Sequence, residues 1–252
     1  MKITTTFDVI IVGGGLAGLT SAIHLSSRKK RVLLIEKNEY PKHKVCGEYI
    51  SNEVLPYLNS LGINPINEGA KQITKVHIST TKSNLIKGEL PLGGFGMSRY
   101  FLDNLLVKKA HLNGVQILKD TVDSIHFKKD SFTITTKSSG VFQSKITIGA
   151  FGKRSSLDQK MKRKFIQKKS PYLAVKIHVK GVFPENLVAL HNFKGGYCGV
   201  SKVEDNAINV CYITEYRSFK KHKNITDFQE QVVFKNKHLR KIFKETSPVF
   251  EK

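Results

Sequence analysis

The run Gly13-Gly14-Gly15-Leu16-Ala17-Gly18 constrains this chain more than any other stretch. Before it, Phe7-Asp8-Val9-Ile10-Ile11-Val12 is short, β-branched and almost wholly apolar, the composition of a parallel strand buried on both faces. After it, Leu16, Leu19 and Ile23 recur at helical spacing, with Ala17 and Ala22 as small packing residues, and predict a helix over 16–28. Arg31-Val32-Leu33-Leu34-Ile35 then predicts a second buried strand that ends at Glu36. Strand, glycine turn, helix and strand fit within about 30 residues, the size of a βαβ unit. In Gly13-x-Gly15-x-x-Gly18 the glycines serve three different ends. Gly13 permits a tight turn, Gly15 lets the backbone approach a pyrophosphate closely, and Gly18 lets helix pack closely on strand. The helix N-terminus adds free N–H groups and a positive dipole end. Glu36 is placed to accept hydrogen bonds from a ribose diol, and its charge disfavours a 2′-phosphate. A glycine loop that merely turns the chain is the competing reading. The strand before, the helix after and the acid at the next strand end favour a dinucleotide.

The rest of the chain is less explicit. Residues 38–96 carry Pro41, Pro56, Pro65, Pro91 and the run Gly93-Gly94-Phe95-Gly96, and read as an irregular excursion out of the first domain. A helix is predicted over 99–112, with Leu102, Leu105, Leu106 and Ala110 inward, Ser98 as its cap and Asn113-Gly114 as its end. Strands follow over 115–118, 121–127, 131–136 and 145–150, then over 172–179, 187–193, 197–203 and 207–214. A basic tail over 225–244 has helical spacing. The three cysteines, Cys46, Cys198 and Cys211, form neither a disulfide framework nor a CxxC pair, which predicts a reducing, cytoplasmic setting. No apolar run approaches bilayer-spanning length, and the run Phe7 to Val12, interrupted by Asp8, does not read as a signal peptide. The net charge of +22 attracts polyanions, but the lysines are spread along the chain without an RNA-binding motif, so a solvated basic surface is favoured and nucleic acid is not. Histidines without partners at ligand spacing predict no metal site.

FAD and NAD both carry ADP, so the fingerprint alone does not choose between them. The layout resembles the FAD-binding domain of the glutathione-reductase-like class, in the branch of p-hydroxybenzoate hydroxylase and geranylgeranyl reductase. The glycine motif extends to Gly18-x-x-x-Ala22. Pro41-x-x-x-x-Cys46-Gly47 resembles the PxxxxCGG motif of geranylgeranyl reductases, with Glu48 in place of the second glycine. Ser98-Arg99-x-x-Leu102-Asp103-x-x-Leu106 resembles the helix whose arginine contacts FAD, and Thr121-Val122 the strand whose backbone meets adenine. Gly149-Ala150-Phe151-Gly152-x-x-Ser155 is similar to GADGxxS, with Phe151 for the aspartate, and Gly195-Gly196-Tyr197 resembles the start of a central substrate-domain strand.

The resemblance implies an α/β chain, α+β overall: a Rossmann-type FAD-binding domain over 1–50 and 97–155, interleaved with a mostly antiparallel β-sheet substrate domain over 51–96 and 156–252. It implies FAD contacts at Gly13, Gly14, Gly15, Leu16, Ala17, Gly18, Glu36, Lys37, Arg99 and Val122, with Cys46 as the catalytic residue beside flavin and substrate. The implied enzyme is a geranylgeranyl reductase-like oxidoreductase that reduces or hydroxylates an apolar or aromatic small molecule. NAD(P)H is its candidate external electron donor, and an anionic membrane surface its candidate peripheral partner. Two rivals are a flavin-dependent RNA-modifying enzyme, motivated by the charge, and a non-catalytic nucleotide-binding fragment.

The departures are specific. The chain has no tryptophan, so the halogenase WxWxIP motif and the YxWxFP segment of geranylgeranyl reductases are absent. The family's second flavin-contacting motif, GDAAG, is missing from the 252 residues. The expectation is that these residues alone hold FAD weakly through the ADP half. FAD affinity, measured with and without a supplied segment carrying GDAAG, checks it: tight stoichiometric flavin without the segment contradicts it.

Overall fold

The computed structural model describes residues 5–249 apart from 154, so the outermost ends of the two expected domains, 1–4 and 250–252, lie outside the described residues. In chain order the elements are β1 (Thr5–Val12), α1 (Leu16–Ser27), β2 (Val32–Glu36), β3 (Tyr49–Ser51), α2 (Leu55–Ser60), β4 (Lys71–Ser79), β5 (Leu85–Gly96) and α3 (Arg99–Leu112). Then come β6 (Gln116–Lys119), β7 (Val122–Lys128), β8 (Ser131–Thr136), β9 (Val141–Gly149), α4 (Ser156–Lys160), β10 (Tyr172–Lys180), β11 (Leu187–Phe193), β12 (Gly196–Lys202) and β13 (Ile208–Glu215). The chain closes on α5 (Tyr216–Phe219), α6 (Ile225–Gln231), α7 (Lys237–Glu245) and β14 (Ser247–Pro248).

Two compact units result. The first comprises Met1–Lys42, Ser60–Ile63 and Tyr100–Lys169. Its six-stranded sheet runs β6-β2-β1-β9-β8-β7, parallel from β6 to β9 and antiparallel beyond. β1 lies between β2 and β9, which explains why its residues are apolar on both faces: Ile10 and Ile11 are sealed from solvent. Helix α3 ends on Gly114 in the left-handed region, with the Val115 N–H returning to the Ala110 carbonyl and the Gly114 N–H to His111, so the orphan carbonyls of the last turn are used.

The second unit comprises His43–Asn59, Asn64–Arg99 and Ser170–Lys252. Its eight-stranded sheet runs β14-β10-β13-β12-β11-β4-β5-β3 and is antiparallel except between β4 and β11. Alternation gives it two different faces. Val179, Ala189, Val200, Ile208, Val210 and Tyr212 pack with Phe228, Val233 and Leu239 of the helical segment. The neighbouring positions, Lys176, His178, Asn209, Cys211 and Gly199, belong to the opposite face.

Three expectations need correction. Residues 38–96 are not irregular: they hold β3, β4 and β5, and 43–59 and 64–96 fall in the second unit. Gly94 and Gly96 sit where other groups press on the strand, for a Cβ at Gly96 would lie 1.9 Å from the Lys202 carbonyl oxygen and one at Gly94 2.5 Å from the Tyr49 ring. The basic tail is not one helix: it breaks after Gln231 because Asn236 is buried and committed elsewhere. Its Oδ1 caps α7 at the His238 N–H, while its Nδ2 donates to Ser79 Oγ and to the Thr80 and Asn192 carbonyls. The unit boundaries also differ from 50 and 155. Residues 43–50 belong with the second sheet through the β3–β5 pairing, and α4 belongs with the first through buried Leu157.

The Asn236 bond orients a further buried group. Ser79 Oγ accepts Asn236 Nδ2 at 2.7 Å and lies 2.8 Å from His191 Nδ1, so its own proton is available to a neutral His191. Burial, with His238 stacked at 5.1 Å and His77 adding, pushes His191 down to about 4. A depressed histidine takes its proton more readily in the unfolded chain, so its contribution is whole above about pH 6.5 and is lost as pH falls towards 4. We expect a loss on the order of 3 kcal/mol from this residue over that window. Urea unfolding at pH 7 and pH 4.5, compared between the parent and His191→Gln, checks it: an equally steep decline in both contradicts the assignment.

Candidate functional site

The glycine loop of the first unit is built by backbone pressed on backbone. Gly13 has φ +104°, and a Cβ there would fall 2.4 Å from the Ala150 carbonyl oxygen. A Cβ at Gly18 would fall 1.9 Å from the Gly13 carbonyl oxygen. At Gly14 it would strike the Tyr40 hydroxyl at 1.6 Å. Gly15 is different: nothing lies within 4 Å of its Cβ position. It is the N-cap of α1 and supplies no side-chain cap, and no hydrogen-bond partner is found among the described residues for the N–H groups of Leu16, Ala17 and Gly18 in the first turn. That is a cradle of the shape and polarity that a pyrophosphate needs, and these residues fit the ADP half of FAD.

Glu36 ends β2 and ties the loop down. Its Oε2 accepts the Gly14 N–H at 2.7 Å, and its Oε1 accepts the Asn38 N–H at 3.0 Å and Nδ2 at 2.6 Å. Of roughly four acceptor positions on a carboxylate, one on Oε2 remains for a ribose hydroxyl. Tyr40 closes the network by donating its hydroxyl to the Gly14 carbonyl at 2.6 Å, and burial, with Glu36 and Asp103 adding, raises its pKa so that the proton stays. Glu36, Lys37 and Val122 line one cleft of about 90 Å³ together with Gly13, Asp120, Thr121, Phe151 and Ser155. Phe151 lies where the resemblance expects an aspartate; its ring sits below Gly149 and packs against the core around Leu157. Asp120 was not singled out by sequence reasoning. It accepts the N–H groups of Thr121, Ser138 and Ser139, and although burial opposes its charge, these bonds hold its carboxyl below the usual range. An acid in a turn between strands was its one available signal.

Cys46 and Arg99 lie in the second unit, and Glu48 joins them. The Glu48 N–H donates to Cys46 Sγ at 3.5 Å, and the Glu48 carboxylate accepts the Arg99 backbone N–H at 2.9 Å. The same carboxylate is held by Lys176 Nζ and by His178 Nε2 at 2.6 Å. Burial works against its charge, but His178, Lys176 and the Arg99 N–H outweigh it and hold the pKa below the ordinary value. Asn209 Nδ2 fastens the loop by donating to the Gly47 carbonyl at 2.7 Å and the Cys46 carbonyl at 3.3 Å. Cys211, cross-strand from Lys176, is pushed up to about 11 by burial, with Cys46 beside it adding. Beside this loop an apolar hollow of about 320 Å³ is lined by Gly47, Tyr49, Val76, Leu90, Leu190, Tyr197, Cys211 and Ile213. Among the described residues no group of three His, Cys, Asp or Glu side chains is placed to hold a metal, and no helix is long and apolar enough to cross a membrane.

Residues 8–45 match the model of the FAD dependent oxidoreductase family. A digeranylgeranylglycerophospholipid reductase of Methanococcus aeolicus is 26% identical over 157 residues, 60% of this chain and 39% of the relative. An uncharacterized protein of Methanosarcina barkeri is 31% identical over 150 residues, 58% of this chain and 37% of the relative. The matched stretch thus spans under two-fifths of either relative's length. Among solved structures, a flavin-dependent brominase superposes with a TM-score of 0.79 at 18% identity, covering 98% of this chain and 66% of that one. The myxobacterial chondrochloren halogenase gives 0.78 at 15% identity, covering 98% and 62%.

The glycine geometry yields a contrast in stability. Gly18→Ala must displace the Gly13 carbonyl and should lower stability by about 1–3 kcal/mol. Gly15→Ala meets open space in an extended conformation and should change it by no more than about 0.5 kcal/mol. Thermal unfolding of the two variants measures this, and equal losses would contradict the assigned roles. The N-terminal match, the relatives and the fold are thus all similar to those of FAD-dependent oxidoreductases.

Proposed function

We propose that the chain binds FAD through the first unit and acts on an apolar organic substrate held against the sheet of the second. The observation that carries this reading is the open helix N-terminus at Gly15, next to a Glu36 carboxylate with one acceptor position left. In it, the N–H groups of Leu16, Ala17 and Gly18 hold the pyrophosphate, Gly13 and Gly14 shape the turn, and Glu36 holds the adenosine ribose. Lys37 and Val122 flank the adenine, and Arg99 contacts the cofactor as the resemblance implies. When bound, the flavin supplies the redox chemistry; the protein binds, orients and excludes water.

Reduction of a double bond is the favoured reaction. The Pro41-x-x-x-x-Cys46-Gly47 setting supports it, as do relatives named for digeranylgeranylglycerophospholipid reduction. The hollow supports an apolar substrate through Val76, Leu90, Leu190 and Ile213, with Cys46 beside it as the catalytic residue. Hydroxylation is the second reading, favoured by a relative named as an FAD-dependent monooxygenase in Aspergillus versicolor. NAD(P)H would serve as external donor. An anionic membrane surface is the proposed peripheral partner, supported by the exposed cations Lys237, Arg240, Lys241 and Lys244 on α7, and the cytoplasm the proposed location, supported by three free thiols.

The test is flavin binding by variants that fold. Gly15→Val adds a side chain where the pyrophosphate would approach, so it should abolish FAD binding in a variant that still folds. Glu36→Ala should weaken FAD by about 1.5–3 kcal/mol. Fluorescence titration of FAD and of ADP reads both, and a folded Gly15→Val variant that binds either as the parent does would refute the site.

A further inference from the structure

The motif that Cys46 sits in departs from its relatives at the next-but-one residue, and the departure is buried. Glu48 stands where the resembled motif has a glycine, and its φ of +54° is in the left-handed region that a glycine enters freely. A glutamate held there is strained, and it is also a charge with no exposed surface on its side chain. Both features persist because three donors hold the carboxylate. Lys176 Nζ and the Arg99 N–H bind Oε1, and His178 Nε2 binds Oε2. Lys176, with 6% of its side chain exposed, is itself committed to this bond. The left-handed turn presents the Glu48 N–H to Cys46 Sγ at 3.5 Å, while Asn209 grips the two preceding carbonyls from below. Asn209 Oδ1 is buried and has no partner among the described residues, so the loop is fastened from one end of that amide only.

We propose that Glu48, Lys176 and His178 are positioning residues for Cys46: a buried charge latch that holds one N–H donor against its sulfur. The latch does not touch substrate. It acts by fixing where the Cys46 thiol sits and which backbone group its sulfur faces. The interest of Cys46 rests on the function proposed above; the latch itself is read without flavin or turnover.

The experiment is site-resolved alkylation of the full 252-residue chain by iodoacetamide, with each cysteine followed separately by mass spectrometry. Glu48→Gln and Lys176→Met should each change the Cys46 rate by about fivefold or more, and the double variant should add little, because the two act as one unit. Cys198, sealed in the core, is the internal control. A Cys46 rate within twofold of the parent in both folded single variants overturns the latch. So does a parallel rise at Cys198, which would report general loosening. If a lone buried charge prevents the single variants from folding, the double variant, which carries neither charge, takes their place under the same criterion. Amide exchange in the unaltered protein gives an independent reading. The Glu48 amide should exchange at least about a hundredfold more slowly than that of exposed Val45, and equal exchange overturns the latch. Cys46→Ser in flavin-loaded enzyme tests the other reading separately: unchanged turnover removes Cys46 from catalysis without touching the labelling result.

Discussion

The first unit depends on one contact, the approach of the Gly18 backbone to the Gly13 carbonyl oxygen, at a separation that leaves no room for a Cβ. That contact seats the first turn of α1 against the end of β1. Gly13 has a positive φ, and its own missing Cβ lets Ala150 and Phe151 come close as well. β9 then lies beside β1, with the Ala150 N–H bonded to the Val12 carbonyl, and β2 lies on the other side, with the Gly13 N–H bonded to Ile35. Three strands and a helix therefore converge on a loop of three glycines. The free helix donors and the Glu36 carboxylate are brought together by the same packing that makes the parallel sheet.

Legibility in the sequence followed the range of the interaction that decides each element. Helix α3 falls on 99–112 as its periodicity predicts, and β8 and β11 fall on 131–136 and 187–193, because alternation and local turn chemistry specify them. β5 was not legible. Pro91 lies in the stretch between its two paired segments, and Gly94 and Gly96 answer to Tyr49 and Lys202, neither near them in the chain. The break before α7 was hidden for the same reason, since Asn236 is held by Ser79 and Asn192. At the candidate site, the glycines and Glu36 could be read because a βαβ unit places them by local geometry. Tyr40 and Asp120 act through contacts that no spacing announces, and the partners of Glu48 lie 128 and 130 residues away.

The two faces of the second sheet show how one alternation pattern serves two ends. The face carrying Val200, Val210 and Tyr212 is closed by Phe228, Val233 and Leu239, and its stability is ordinary apolar burial. The other face carries Lys176, His178, Asn209 and Cys211 at positions where a strand built for stability alone would place apolar side chains. A buried charge pair is weak evidence for stability, since desolvation of each ion offsets much of the attraction. Its presence on a sheet that already has a packed face on its other side points to a role in geometry.

The glycine loop and the Cys46 loop are fixed by opposite means. In the glycine loop, backbone atoms pack where Cβ atoms at Gly13 and Gly18 would collide, and open space remains only beside Gly15 among its four glycines. In the second, a side chain is added where a glycine would have sufficed, and charge-assisted bonds hold a strained backbone in place. Packing of the first kind responds to neither pH nor salt. A latch of the second kind does respond, because protonating Glu48 removes its attraction to Lys176 and leaves the left-handed turn uncompensated. The Glu48 carboxyl is held below its ordinary value, burial opposing and His178, Lys176 and the Arg99 N–H prevailing, so the latch is intact at neutral pH and opens only as pH falls through that lowered value. The loop that bears Cys46 is therefore ordered by an interaction separate from the one that builds the glycine cradle, and each can be altered without altering the other.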